Sequence, residues 1–214
     1  QLPHTAVSRH LIQQAWPLGL SIFLSIAYTR LAILLLGIWR DAEAVALYSA
    51  AWRLVEPTQI LPAALLAAVF PAFALALTQN PQRARQLGWQ TSLLLALAGS
   101  VVALAFWLSA PWLVPWLYGS AFAASVPILR LLSLTVLPVY LNYSLTHYLV
   151  ARGQQRLLTG LTAVTLLLHT LFCWLFIPQL GLLGPALSVL LVESVLLLGC
   201  LWALRQPVVW ATAV

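Results

Sequence analysis

The stretch from Trp16 to Trp39, WPLGLSIFLSIAYTRLAILLLGIW, carries a single charge, Arg30. A bilayer-spanning helix needs about 20 mainly apolar residues at about 1.5 Å each, and this run is long enough. An arginine at bilayer depth costs about 2.5–3.5 kcal/mol even on the lenient insertion scales. A helix that keeps one is expected to turn it toward water, a partner charge or a charged ligand rather than toward lipid.

The rest of the chain extends this reading. It has 214 residues, 63% of them hydrophobic and only 7% charged, against about 25% charged in soluble domains. So little polar surface cannot cover a water-soluble globule, and an all-α integral membrane protein follows. The apolar runs are rich in Leu and Ala and lack the two-residue alternation of barrel strands. Cys173 and Cys200 both sit inside such runs and read as small buried hydrophobes. There is no methionine, and the polar first fifteen residues have no signal-peptide pattern. The chain is therefore expected to be a piece of a longer or processed protein whose missing part lies upstream.

Six apolar segments can be marked, at about 16–39, 42–77, 87–118, 121–151, 154–177 and 184–205. Residues 16–206 form the predicted six-helix transmembrane lobe, 1–15 a cytoplasmic lead or inter-lobe linker, and 207–214 a tail. Pro57, Pro62, Pro71 and Pro138 mark expected bends. The turns are short: an acidic helix start at Asp41 and Glu43, a stop and restart at Asn80-Pro81, and glycine turns at Gly119, Gly153 and Gly181. With the N-terminus inside, Arg9, Arg83, Arg85, Arg152, Arg156 and Arg205 fall on the cytoplasmic side and only Arg40 outside, which satisfies the positive-inside rule. Both ends are accordingly predicted to be cytoplasmic. The net charge of +6 is mostly a topology signal, and its dispersal over separate loops argues against nucleic acid as a partner.

Five ionisable residues lie inside the spans: Arg30, Arg53, Glu56, Arg130 and Glu193. Helical spacing groups Ser49, Arg53, Glu56 and Gln59 on one stripe of the second segment, where Arg53 and Glu56 are placed to pair. This stripe reads as a hydrated lining. Arg130, Ser133, Tyr140, Ser144 and His147 share a stripe of the fourth segment, and Thr159, Thr162, His169 and Cys173 one of the fifth. These last two suit helix–helix contact or a lining equally. Ser21, Ser25 and Tyr28 share a face of the first. No glycine-rich phosphate loop, GxSxG motif or metal-ligand spacing is present, so neither an enzyme nor a cofactor or metal protein is indicated.

Several runs resemble the oligosaccharide (O-antigen/polysaccharide) flippases of the multidrug/oligosaccharidyl-lipid/polysaccharide exporter superfamily, in their C-terminal half. They are Glu43 to Leu54 (EAVALYSAAWRL), Leu61-Pro62-Ala63, Phe70-Pro71, Leu117-Tyr118-Gly119 with Phe122, Pro127 to Leu132 (PILRLL), Leu149 to Gln154 (LVARGQ), Ile177 to Ala186 (IPQLGLLGPA) and Glu193. The resemblance implies a transporter of twelve to fourteen helices in two lobes of six. Such a transporter moves a polyprenyl-pyrophosphate-linked oligosaccharide across the bacterial inner membrane by alternating access. It also implies that the first two helices of the lobe line the cavity, so that Arg30 and Arg53 bind the pyrophosphate, with Arg130 as a further candidate. Arginine offers such an anion a bidentate fork. Only one lobe is present, so the missing N-terminal lobe or a second copy is an expected partner, beside membrane lipids. His169 stands where family members often carry Asn. Glu56 and Glu193 are candidates for ion coupling or for salt bridges, Glu56 with Arg53 and Glu193 with an arginine of another helix. The alternatives are a related multidrug-type cation antiporter and a membrane enzyme of polysaccharide assembly.

Counted from the outer helix ends, Arg30, Arg53, Arg130 and Glu193 all lie about 14–16 Å deep. Counted from the inner ends, Arg30 and Glu193 remain central, whereas Arg53, Glu56 and Arg130 move toward an outer vestibule.

Overall fold

The computed structural model describes residues 4–205, with the side chains of residues 4–15, 17, 18, 21 and 81 left undescribed. Seven α-helices follow one another: α1 (His4–Trp39), α2 (Ala42–Val55), α3 (Ile60–Gln79), α4 (Pro81–Tyr118), α5 (Ser125–Ala151), α6 (Gln155–Leu180) and α7 (Leu183–Arg205). No strand occurs among the described residues. Helices α2 and α3 are two halves of one span, so the bundle crosses a membrane six times by length and composition.

The helix boundaries follow local chemistry. Asp41 caps α2 by accepting from the Ala44 N–H at 2.8 Å, as its acidic start predicts. Asn80 caps α4 by accepting from Arg83 N–H at 3.1 Å, with Pro81 at the first helical position. Gly119 and Gly153 turn the chain at φ of 85° and 74°, a region that side chains with a Cβ avoid. Helix α1 begins at His4, so the polar lead continues the first span as helix.

The expected bend at Pro57 is a break. Residues Glu56–Gln59 form a single 3-10 turn between α2 and α3. Pro57 and Pro62 lack the N–H groups that Arg53 and Thr58 carbonyls would otherwise receive. One of these carbonyls finds a replacement: Tyr140 of α5 donates its hydroxyl to Thr58 O at 2.7 Å. Pro71, Pro111, Pro115, Pro138 and Pro178 sit inside helices without breaking them.

Helix α5 is the central post. It is the most buried of the spans and packs on α2, α3, α4 and α7, while α1 pairs with α6 and α6 with α7. The main apolar core gathers toward the end that carries the α1–α2, α4–α5 and α6–α7 turns. There Leu36, Leu47, Tyr48, Val114, Ile128 and Ile177 are buried together. At that end Arg40 donates to the Ile177 and Pro178 carbonyls at 3.1 and 3.4 Å, tying the first turn to the last turn of α6. The opposite, arginine-rich end has only small clusters, Leu145 and Leu149 with Cys200 and Ala203, and Phe73 with Ala76 and Ala84. Two of the bundle's cavities reach into this looser half.

Candidate functional site: a cavity built around Glu193

A cavity of about 860 Å³ opens inside the bundle, with walls from α1, α2, the α2–α3 break, α3, α5, α6 and α7. Its polar groups include Ser25, Tyr28 and Thr29 from α1, Thr58 and Gln59 from the break, Thr135, Tyr140, Asn142, Tyr143, Thr146 and His147 from α5, Thr162 and Thr165 from α6, and Glu193 from α7. Aromatic and aliphatic side chains, Trp52, Phe70 and Val139 among them, fill the spaces between.

Glu193 holds the wall together. Tyr28 donates its hydroxyl to Glu193 Oε1 at 3.1 Å. Asn142 donates its amide to Glu193 Oε2 at 2.8 Å and to the Glu193 carbonyl at 2.9 Å. A carboxylate out of water is strongly unfavourable unless it is paired or hydrogen-bonded, and two neutral donors meet that need here. The arginine expected as its partner does not reach it. The Tyr28 ring lies on the His169 ring, with centroids 4.6 Å apart. His169 Nδ1 is 2.7 Å from Ser188 Oγ of α7. Helices α1, α5, α6 and α7 are thus joined through one polar cluster.

Two polar atoms in the cavity wall are buried with no hydrogen-bond partner: Asn142 Oδ1 and Trp52 Nε1. One is an acceptor and the other a donor. Buried groups of this kind are uncommon in native proteins.

The arginines are placed elsewhere. Arg30 and Arg53 are exposed on the surface of the bundle, and neither lines this cavity. On α1 the cavity residues Ile22 and Ile26 lead at four-residue steps to Arg30, so Arg30 stands one turn beyond the cavity on the same stripe. Of the stripe Ser49, Arg53, Glu56 and Gln59, only Gln59 lines the cavity; Trp52, Val55 and Thr58 supply the rest of that wall. No ion pair joins Arg53 to Glu56, which is half-buried.

Arg130 is tied to α4. Its Nε donates to Trp107 O at 3.3 Å and its guanidinium stands 5.8 Å from the centre of the Trp107 ring. The helical partner of Trp107 O would be the N–H of residue 111, which is Pro111. Arg130 therefore repeats the service that Tyr140 performs for Thr58: a side chain of α5 meets a carbonyl freed by proline. Of its stripe, Ser144 meets Ser92 of α4 at 2.9 Å, and only Tyr140 and His147 line the cavity. On α6, Thr162 lines the cavity while His169 and Cys173 pack inside the bundle. Asn142, Tyr143 and Thr146 belong to no sequence stripe singled out above. An asparagine in an apolar run was the available signal, but at two residues from Tyr140 it falls outside the seven-residue rhythm that defines that stripe. No group of His, Cys, Asp or Glu able to hold a metal ion exists among the described residues.

Two solved structures share this architecture. One is described as the outward-facing conformation of a multidrug resistance MATE family transporter of the MOP superfamily. The other is a MOP superfamily transporter from Pyrococcus furiosus, whose reverse binding-pocket polarity is said to suggest a different function. Each superposes with a TM-score of 0.81 at 15% identity, over 91% of this chain and 44% of its own length. At that identity the likeness speaks for the fold, and the chain spans less than half of either protein. A search of the curated proteins returns no match. The family model described as "Polysaccharide biosynthesis protein" matches residues 3–127, more than half of the chain. This multi-pass membrane protein therefore belongs to the polysaccharide biosynthesis protein family and has the fold of the MOP superfamily transporters.

Proposed function

We propose that this chain is the C-terminal lobe of a flippase that moves a polyprenyl-pyrophosphate-linked oligosaccharide across the bacterial inner membrane by alternating access. The observation that carries the reading is the pairing of family and length: a polysaccharide biosynthesis chain folded like 44% of a MOP transporter. The arginines support it. Arg30 lies nine residues from the end of α1 and Arg53 eleven residues into α2, both about 14–16 Å from the same end of the bundle. Two exposed guanidiniums at matching depth are too costly to face lipid. They suit a cleft shared with a second lobe, where a pyrophosphate would meet both. The cavity behind them carries further polar groups, among them Thr29, Gln59, Tyr143 and Thr146, donors and acceptors of the kind that sugar hydroxyls require.

Within this reading Glu193, rather than Glu56, is the coupling group. It is the carboxylate that lines the cavity, and it joins helices on both sides of it. Protonation or cation binding there would alter the hold of α7 on α1 and α5.

The test is Arg30→Ala and Arg53→Ala in the full-length protein, with surface polysaccharide and membrane-inserted protein both measured. Loss of polysaccharide at normal protein level is expected. Normal polysaccharide in both variants would remove the arginines from the transport path. A second reading, export of a cationic drug, draws on the multidrug resistance title of one structural neighbour and on the carboxylate in the cavity. It predicts altered drug susceptibility with polysaccharide untouched.

A further inference from the structure

A second cavity, of about 730 Å³, lies between α3, α4, α5 and α7 at the arginine-rich end of the bundle. It is separate from the Glu193 cavity, from which Leu66, Phe70 and His147 divide it as a common wall. Its lining is mainly apolar, with Leu66, Val69, Phe73, Leu145 and Leu197, interrupted by Thr91 and the Ser92–Ser144 pair. Its mouth is polar. Gln82, Arg85, Gln86 and Trp89 line it from the first turns of α4, and their spacing of three, four and seven residues puts all four on one helix face. Arg85 is exposed. Arg152 stands beside the same mouth: its guanidinium lies 5.6 Å from the Tyr148 ring and donates to Leu204 O at 3.2 Å, both of them cavity-lining residues. None of the four carboxylates of the chain, Asp41, Glu43, Glu56 and Glu193, lines this cavity. Trp89, 71% exposed one turn from Arg85, is the kind of residue that settles at the headgroup level of a bilayer.

A mainly apolar crevice with a cationic, amide-lined mouth matches one amphipathic shape. We propose that this crevice binds an anionic phospholipid, its phosphate at Arg85 within the field of Arg152 and an acyl chain between α3, α4, α5 and α7. Charge complementarity selects the occupant, because the exposed Arg85 favours an anionic headgroup over a zwitterionic one. The bound chain would press on Leu66, Phe70 and His147 from behind, so the lipid would also support one wall of the Glu193 cavity.

The experiment is native mass spectrometry of the full-length protein released from detergent, with phosphatidylglycerol or phosphatidylcholine of identical acyl chains added. Retention of one phosphatidylglycerol with a preference of about fivefold is expected, the effect of one well-placed basic residue at a membrane surface. Arg85→Gln should abolish the preference. Arg83→Gln should leave it intact, since Arg83 is equally exposed on α4 but does not line the crevice. Leu201→Trp should reduce retention of both lipids by filling the crevice. Equal retention of the two lipids by the unaltered protein, or equal losses in Arg83→Gln and Arg85→Gln, would overturn the proposal and leave only a general attraction to anionic lipid.

Discussion

Tyr28 and Glu193 stand 165 positions apart in the chain, yet the tyrosine hydroxyl donates to Glu193 Oε1 at 3.1 Å. That bond closes the cavity wall between the first helix and the last. A side-chain hydrogen bond contributes about 0.5–1.5 kcal/mol net. Tyr28→Phe should therefore lower the melting temperature of the purified protein and loosen α1 from α7, whereas Tyr143→Phe, which removes a bond to Gln59 at 3.2 Å, should do so less. Equal melting of Tyr28→Phe and the unaltered protein would show that the bond does not hold the wall.

Glu193→Gln preserves size and hydrogen-bonding capacity but removes the charge that changes on proton or cation binding. Under the coupling role proposed for it, polysaccharide export in the variant should fall at normal protein level, and what remains should no longer respond to collapse of the proton or sodium gradient. Retained gradient dependence would move the coupling group elsewhere.

The role of Arg130 can be separated from substrate binding by restoring what proline removes. Arg130→Leu leaves Trp107 O without its donor and forfeits a cation–π contact worth about 0.5–1 kcal/mol at exposed sites. Pro111→Ala returns an N–H to that carbonyl. The double variant should recover the stability and surface polysaccharide lost in Arg130→Leu. A double variant as inactive as the single one would place Arg130 in the transport path after all.

Tyr140 and Pro62 form the same kind of pair at the α2–α3 break. Tyr140→Phe leaves Thr58 O short of a strong donor and should cost about 1–3 kcal/mol. Pro62→Ala, which restores the helical donor, should offset part of that cost in the double variant. Additive destabilisation in a thermal-unfolding cycle would contradict the replacement.

Two glycines of α7 should respond differently to alanine. At Gly184 a new Cβ would lie 2.7–2.8 Å from backbone atoms of Phe176 and Ile177, so α6 and α7 would have to separate, at about 1–3 kcal/mol. At Gly199 it would meet the end of the Leu161 side chain at 2.9 Å, which can rotate aside. Gly184→Ala should therefore lower folded yield and melting temperature clearly more than Gly199→Ala.

The membrane class, the six spans, the caps at Asp41 and Asn80, and the turns at Gly119, Gly153 and Gly181 were legible in the residues themselves. Each follows from a local rule: the length of an apolar run, a side chain that caps its own helix, a backbone angle that only glycine tolerates readily. Proline positions also told where the second span would weaken. The arrangement of the charged groups was not legible in the same way. Helical spacing says which residues share a face, but not what that face meets. Arg130 and Arg53 look alike in sequence; one reaches across to a carbonyl that Pro111 left free, and the other stands on the open surface. Glu193 took Tyr28 and Asn142 as partners instead of an arginine because the pairing depends on which helices become neighbours. Contacts between helices far apart in the chain decided that, and with it where the cavities lie and which side chains line them.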